Sequence, residues 1–143
     1  MSLREELLAI AAAHDGVLQA EHVVEAASDP ASPLHDRFVW DDTEAARQWR
    51  LAQAQSLIRR CKITVEKPDG SAIQTRAFIS ITEERGPDRP YRDVVQVIDS
   101  DAWRASMLRA ALRELRAFRR KYAALTELTE LLAQIDEVAQ SAE

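Results

Sequence analysis

Residues 62–81 read KITVEKPDGSAIQTRAFISI, and this stretch decides between an all-helical protein and a mixed one. In KITVE, Ile63 and Val65 alternate with polar residues, which is the period of a half-buried strand. In IQTRAFISI, the residues Ile73, Thr75, Ala77, Ile79 and Ile81 share one face in the same way. Between them lies KPDGS, where Pro68 presets φ and Gly70 accepts a positive φ. A β-hairpin over 62–81 is therefore predicted. ERGPDRP, residues 84–90, reads as a loop, and YRDVVQVI, residues 91–98, as a third strand or a loop holding one short strand.

Helical signals precede the hairpin. Residues 2–14 carry Ser2 as N-cap and Glu5 at the capping-box position. Leu3, Leu7, Ile10 and Ala11 fall on one face, and Gly16 stops the helix. Residues 19–28 form a second short helix with Val23, Val24 and Ala27 inward. Pro30 and Pro33 then break the chain. Residues 43–60 form a third helix, capped by Asp41, Asp42 or Thr43. Its expected buried face is Trp49, Ala52, Leu57 and Ile58.

After the hairpin the pattern changes again. The last 53 residues hold no glycine and no proline. Helix is predicted from Asp101 to Gln140, with Asp99 or Ser100 as cap. One unbroken helix of that length would run roughly 60 Å at 1.5 Å per residue. Its apolar stripe is Leu108, Ala111, Leu115, Phe118, Tyr122 and Leu125. The stripe shifts at Leu128 and resumes at Leu132 (or Leu131), Ile135 and Val138. That shift is either a stammer or the end of one helix and the start of another. The stripe packs on its own head or, because a long helix needs a partner for its apolar side, it self-associates. The second option assigns oligomerisation to Leu108, Leu115, Phe118, Tyr122, Leu125 and Leu132.

The expected fold class is α+β. A helical, helix-turn-helix-like head with a small antiparallel hairpin sheet occupies residues 1–100, and a long helical arm occupies 101–143. The length of 143 residues suits one domain. Cys61 is the only cysteine, so the chain can form no internal disulfide and no cysteine-based zinc site. The start lacks the basic region of a signal peptide, and no apolar run approaches membrane-spanning length. The cytoplasm of a host cell is the expected location, with no membrane partner.

Charge is unevenly spread. Net charge is −5, but residues 1–45 carry −8, residues 46–100 carry +3, residues 101–122 carry +5 and residues 123–143 carry −5. In WRASMLRAALRELRAFRRKY, residues 103–122, the positions Arg109, Arg113, Arg116 and Arg120 have 4–3–4 spacing and share a helix face. Such a face can track phosphates. The plainer reading is a solvated face, and a third is a basic face covered by the acidic head or tail of a neighbouring subunit. The candidate nucleic-acid-binding residues are Arg109, Arg113, Arg116, Arg119, Arg120 and Lys121, with Arg37 from the head.

Arg37 enters through GVLQAEHVVEAASDPASPLHDRF, residues 16–38. This stretch resembles a helix, a tight turn and a second helix that would begin near Ser32 and present His35, Asp36 and Arg37 outward. Such a helix can read guanine edges in a major groove. The objection is electrostatic, because phosphate contacts dominate DNA affinity and this head is acidic.

Signals for catalysis are weak. Asp99 and Asp101 lie where a strand would end, as in magnesium-dependent nucleases, but they suit helix capping better. Pro68-Asp69 lacks the acid-x-Lys that would complete a nuclease motif, and the turn explains Asp69. His14, His22 and His35 have no i,i+4 spacing. No glycine-rich phosphate loop and no nucleophile elbow is present. No cofactor and no metal is expected.

SPLHDRFVWDDTEAARQWRLAQAQSLI, residues 32–58, resembles a signature of uncharacterised small proteins of phage and prophage genomes. The matching positions are Ser32, Pro33, Leu34, His35, Phe38, Trp40, Asp41, Asp42, Ala45, Ala46, Arg50, Gln53, Ala54, Leu57 and Ile58. RAFISI and KYAALTEL are similar as well. The resemblance implies an origin and carries no activity. The reading that follows is a non-enzymatic, phage-type, DNA-associated protein that forms homo-oligomers through its C-terminal helix. The alternative is a protein-interaction module, an assembly factor or an inhibitor of a host protein, that uses the acidic head.

Overall fold

The computed structural model describes residues 1–41, 43–82 and 88–142. Its elements, in chain order, are α1 (Leu3–Ala12), α2 (Ala20–Ala27), a 3-10 turn (His35–Arg37), α3 (Glu44–Arg60), β1 (Lys62–Glu66), β2 (Ala72–Arg76), β3 (Phe78–Ile79), β4 (Arg92–Asp93), α4 (Val94–Asp99), α5 (Asp101–Tyr122), a second 3-10 turn (Thr126–Leu128) and α6 (Thr129–Ser141). The fold is α+β, mostly helical, with two small two-stranded antiparallel sheets among the described residues.

The first helix starts as its sequence dictates. Ser2 Oγ accepts from the Glu5 amide at 3.2 Å, and a Glu5 carboxylate oxygen accepts from the Ser2 amide at 2.7 Å. The chain leaves the helix through Asp15 at φ 57° and Gly16 at φ 80°. α1, α2 and α3 pack on one another around Leu7, Ala11, Leu18, Ala20, Val23, Ala27, Leu51, Ala54, Leu57 and Ile58. Small residues at Ala20, Ala27 and Ala54, all 0% exposed, let the helices approach closely.

The buried face of α3 differs from the expected one. Leu51, Ala54, Leu57 and Ile58 are buried. Trp49 is 58% exposed and Ala52 is exposed too. At roughly 100° per residue, Trp49 and Ala52 point away from Leu51, Ala54 and Ile58, so the two sets cannot share one face. Thr43 is the N-cap, its hydroxyl accepting from the Ala46 amide at 3.2 Å, while Asp41 accepts from the Thr43 amide at 3.1 Å. The alternative cap Asp42 lies outside the described residues.

The expected hairpin forms, with Lys62 opposite Arg76 and Glu66 opposite Ala72. Gly70 takes φ 85° in the turn, and Asp69 accepts from both the Ser71 amide and the Ser71 hydroxyl. The expected second strand is interrupted, however. Ala77 donates to the Cys61 carbonyl at 2.8 Å and accepts from the Val94 amide at 2.9 Å, then hands the chain to β3, which pairs with β4. The inward phase shifts by one residue there. Phe78 becomes the largest fully buried side chain, while Ile73 is 42% exposed. The strand, or loop with one short strand, expected over 91–98 is strand only at Arg92–Asp93; from Val94 on it is helix α4, which was not expected. Asp93 caps it by accepting from the Val95 amide at 3.2 Å, and Val94 and Val97 face inward. Of the expected loop 84–90, residues 84–87 lie outside the described residues.

Ser100 caps α5, its hydroxyl accepting from the Trp103 amide at 3.3 Å. Asp99 and Asp101, the weighed caps or metal ligands, flank that cap and are exposed. The single 40-residue helix does not form. α5 spans 22 residues and ends at Tyr122. A short connection then returns the chain as α6, which packs against α5. The shift in the apolar stripe at Leu128 is thus the end of one helix and the start of another. No helix among the described residues is long and apolar enough to cross a membrane.

Candidate nucleic-acid interface

The described residues 32–41 form a joint between α2 and α3. Among them no α-helix forms, only the three-residue turn His35–Arg37. His35 donates from Nδ1 to the Ala27 carbonyl at 2.8 Å, which satisfies a carbonyl at the end of α2. Its ring stacks on Trp40 with centroids 5.0 Å apart, and Trp40 Nε1 donates to the His35 carbonyl at 2.9 Å. The Arg50 guanidinium lies 5.2 Å from the Trp40 ring centroid and donates to the Val39 and Asp41 carbonyls. Leu34 and Phe38 are buried in the core. His35 therefore faces inward, contrary to the outward role expected of it. Arg37 stays exposed.

The basic arm is α5. Arg109, Arg113 and Arg120 are exposed and Arg116 is half-buried, and all four share a flank. Neither Arg113 nor Arg116 lacks a partner within the chain. Arg119 is set apart from them. Its Nε donates to Asp136 of α6 at 2.6 Å, and this contact holds the Asp136 carboxyl below the usual aspartate range. The acidic tail thus covers part of the arm within one chain, where the sequence suggested a neighbouring subunit's tail. Lys121 lies off the shared flank, its ammonium 5.2 Å from the Tyr122 ring centroid.

The other flank of α5 is apolar. The short connection makes α5 and α6 antiparallel. Leu112, Leu132 and Ile135 are buried in this hairpin, outside the main core cluster. Stepping roughly 100° per residue from Leu112 puts Arg109, Arg113, Arg116 and Arg120 on one side and Ala111, Leu115, Phe118 and Tyr122 on the other. The same construction on α6 puts Leu131 and Val138 beside Phe118 and Tyr122. Phe118 is 37%, Leu131 46% and Val138 53% exposed. Of the residues expected to mediate oligomerisation, Leu115, Phe118 and Tyr122 belong to this side. Leu108 and Leu125 are exposed beyond it, and Leu132 is buried within the chain.

One surface was missed from the sequence. The outer face of α3 carries an open groove of about 600 Å³ lined by Arg37, Trp49, Ala52, Ser56, Arg59 and Arg60, with Gln53 and Leu57 at its base. The expected buried face of α3 includes Trp49, which is instead exposed. The phase of Leu51, Ala54 and Ile58 would have placed it outside. Among the described residues no group of three or more His, Cys, Asp or Glu side chains is placed to hold a metal ion. No protein-family model, no curated protein and no solved structure matches the chain.

Proposed function

We propose that this chain is a non-enzymatic, DNA-associated protein of the phage-encoded kind that residues 32–58 resemble, self-associating through the α5–α6 hairpin. The observation that carries the reading is the two-sidedness of that hairpin. Arg109, Arg113, Arg116 and Arg120 ride one side, and Leu115, Phe118, Tyr122, Leu131 and Val138 ride the other. A second copy packed on the apolar side completes a four-helix arrangement and leaves both arginine sides away from the new interface, with Arg113 lining a cleft shared with Ser80, Thr82 and Arg89. Phosphates of duplex DNA are the partner such a row of guanidiniums suits, since they supply sequence-independent affinity.

Binding to a labelled duplex, followed by anisotropy across a salt series, tests this. Affinity should fall steeply with salt, and its log–log slope should lose roughly 0.9 for each phosphate contact removed. The substitutions of choice are Arg109→Glu with Arg120→Glu, because both are exposed and the contact of Arg109, from a terminal nitrogen to the Ser106 hydroxyl at 2.9 Å, stays on its own helix. Duplex binding left unchanged by this pair sinks the arm as a phosphate-binding surface.

The second reading is a module whose acidic head engages a basic partner, such as a host protein. Its support is a head on which Asp15, Glu21, Glu25, Asp29 and Asp36 are all exposed. Capture of a host protein that is lost on Glu21→Lys with Glu25→Lys, and kept in the Arg109→Glu/Arg120→Glu variant, favours this reading over the first.

A further inference from the structure

We propose that the groove on the outer face of α3 binds a short stretch of single-stranded DNA, with one base stacked on Trp49 and its flanking phosphates against Arg37, Arg59 and Arg60. The site shares no residue with the arm. Only the choice of DNA over RNA rests on the function proposed above.

The chemistry of the lining selects the occupant. Three of its eight residues are arginines and none is acidic, so the groove attracts a polyanion. Trp49 stands in the same groove at 58% exposure, a large aromatic surface left in water. Small residues follow on its face: Ala52 and Ser56 lie three and seven positions after Trp49, leaving a floor on which a flat ring can lie. Arg60 is held along the helix by the bond from its Nε to the Ser56 carbonyl at 3.3 Å, which keeps its terminal nitrogens for a ligand.

Phosphate-binding cations around an exposed aromatic ring are the combination that holds unpaired strands. A duplex cannot use Trp49 without unstacking, because its bases cover one another's faces. An acidic peptide would satisfy the arginines and leave the indole face unused. A volume of about 600 Å³ also fits a base and its flanking backbone better than a folded surface.

The test uses the full chain carrying Arg109→Glu and Arg120→Glu, so that the arm no longer contributes. Anisotropy is measured with labelled octathymidylate, octauridylate, an eight-base-pair duplex and an octaglutamate peptide. Octathymidylate should bind most tightly. Trp49→Leu should weaken it about tenfold, the loss expected when one base–aromatic stack is removed. Trp49→Tyr should retain most of the binding, and Arg59→Glu with Arg60→Glu should abolish it. Because Trp49 is exposed, circular dichroism should show these variants folded. Equal binding by Trp49→Leu, or tighter binding of the duplex or the peptide than of octathymidylate, overturns the proposal. Tighter binding of octauridylate overturns the assignment to DNA. Failure of the proposed arm would show separately, in duplex binding by the chain with an intact arm.

Discussion

His35 illustrates what a single side chain does here. Its Nδ1 satisfies the Ala27 carbonyl at the end of α2, its ring stacks on Trp40, and its own carbonyl receives the Trp40 indole N–H. Replacing it by alanine removes the ring and leaves that carbonyl without its donor. His35→Ala should cost about 1–3 kcal/mol, the usual range for an unsatisfied part-buried polar group. Urea denaturation followed by circular dichroism measures it, and a midpoint unchanged from the parent would mean that the joint is held without this residue. Much of the joint could be read from the sequence, because Leu34, Phe38 and the prolines mark an anchored bend. The inward role of His35 could not, since it depends on a carbonyl eight residues away. Cys61 is similarly defined by its surroundings. It is 6% exposed, and burial raises its thiol above the ordinary value, which is the setting of an inert structural cysteine.

At the scale of elements, the legible parts were those set by local chemistry. The capping box of Ser2 and Glu5 and the Gly70 turn are short-range devices that form as written, and the cap of α3 falls on Thr43, one of the three residues the sequence offered. The parts that were not legible depend on partners distant in sequence. β3 leaves the hairpin because Ala77, still bonded to Cys61 at the end of the ladder, accepts from Val94 and Phe78 pairs with Asp93, and alternation alone cannot reveal that change of partner. The break between α5 and α6 contains neither glycine nor proline, so only the shifted stripe announced it. The hairpin that results is tied by Arg119 and Asp136, and this gives it an acid limit. Asp136 has a lowered value in the folded chain, caused first by the hydrogen bond from Arg119. A lowered folded value means that the contact stabilises above the unfolded aspartate value, about 3.9, and that this contribution is lost as pH falls through the lower folded value. Both side chains are close to half exposed, at 40% and 45%, so solvent screens the pair and the effect is small. Asp136→Asn should lower stability slightly at neutral pH and make no difference once pH has fallen well below about 4, so that the acid limb of the stability–pH profile is flatter. An acid limb identical to the parent's would show that other carboxylates set it.

For the whole molecule, the proposed DNA binding has to be reconciled with a net charge of −5. Its charge is segregated: the acids of the head crowd α1, α2 and the joint, while Arg109, Arg113, Arg116 and Arg120 of α5 occupy one flank of a hairpin whose buried residues, Leu112, Leu132 and Ile135, lie outside the main core. If the apolar flank is an interface between copies, self-association and DNA binding become linked. Two arginine rows on one particle bind a duplex as a bivalent ligand, and bivalency raises affinity without any new contact. Leu131→Glu with Val138→Glu should therefore convert the particle to a monomer in sedimentation and leave the head folded, since neither residue touches the main core. The same pair should weaken duplex binding at least tenfold and reduce the magnitude of the salt slope by roughly half, although no arginine has been altered. A monomeric variant that binds duplex as tightly as the parent would separate the two halves of the proposed function. The arginine row would then act one chain at a time, and the exposed Phe118, Leu131 and Val138 would need a different explanation.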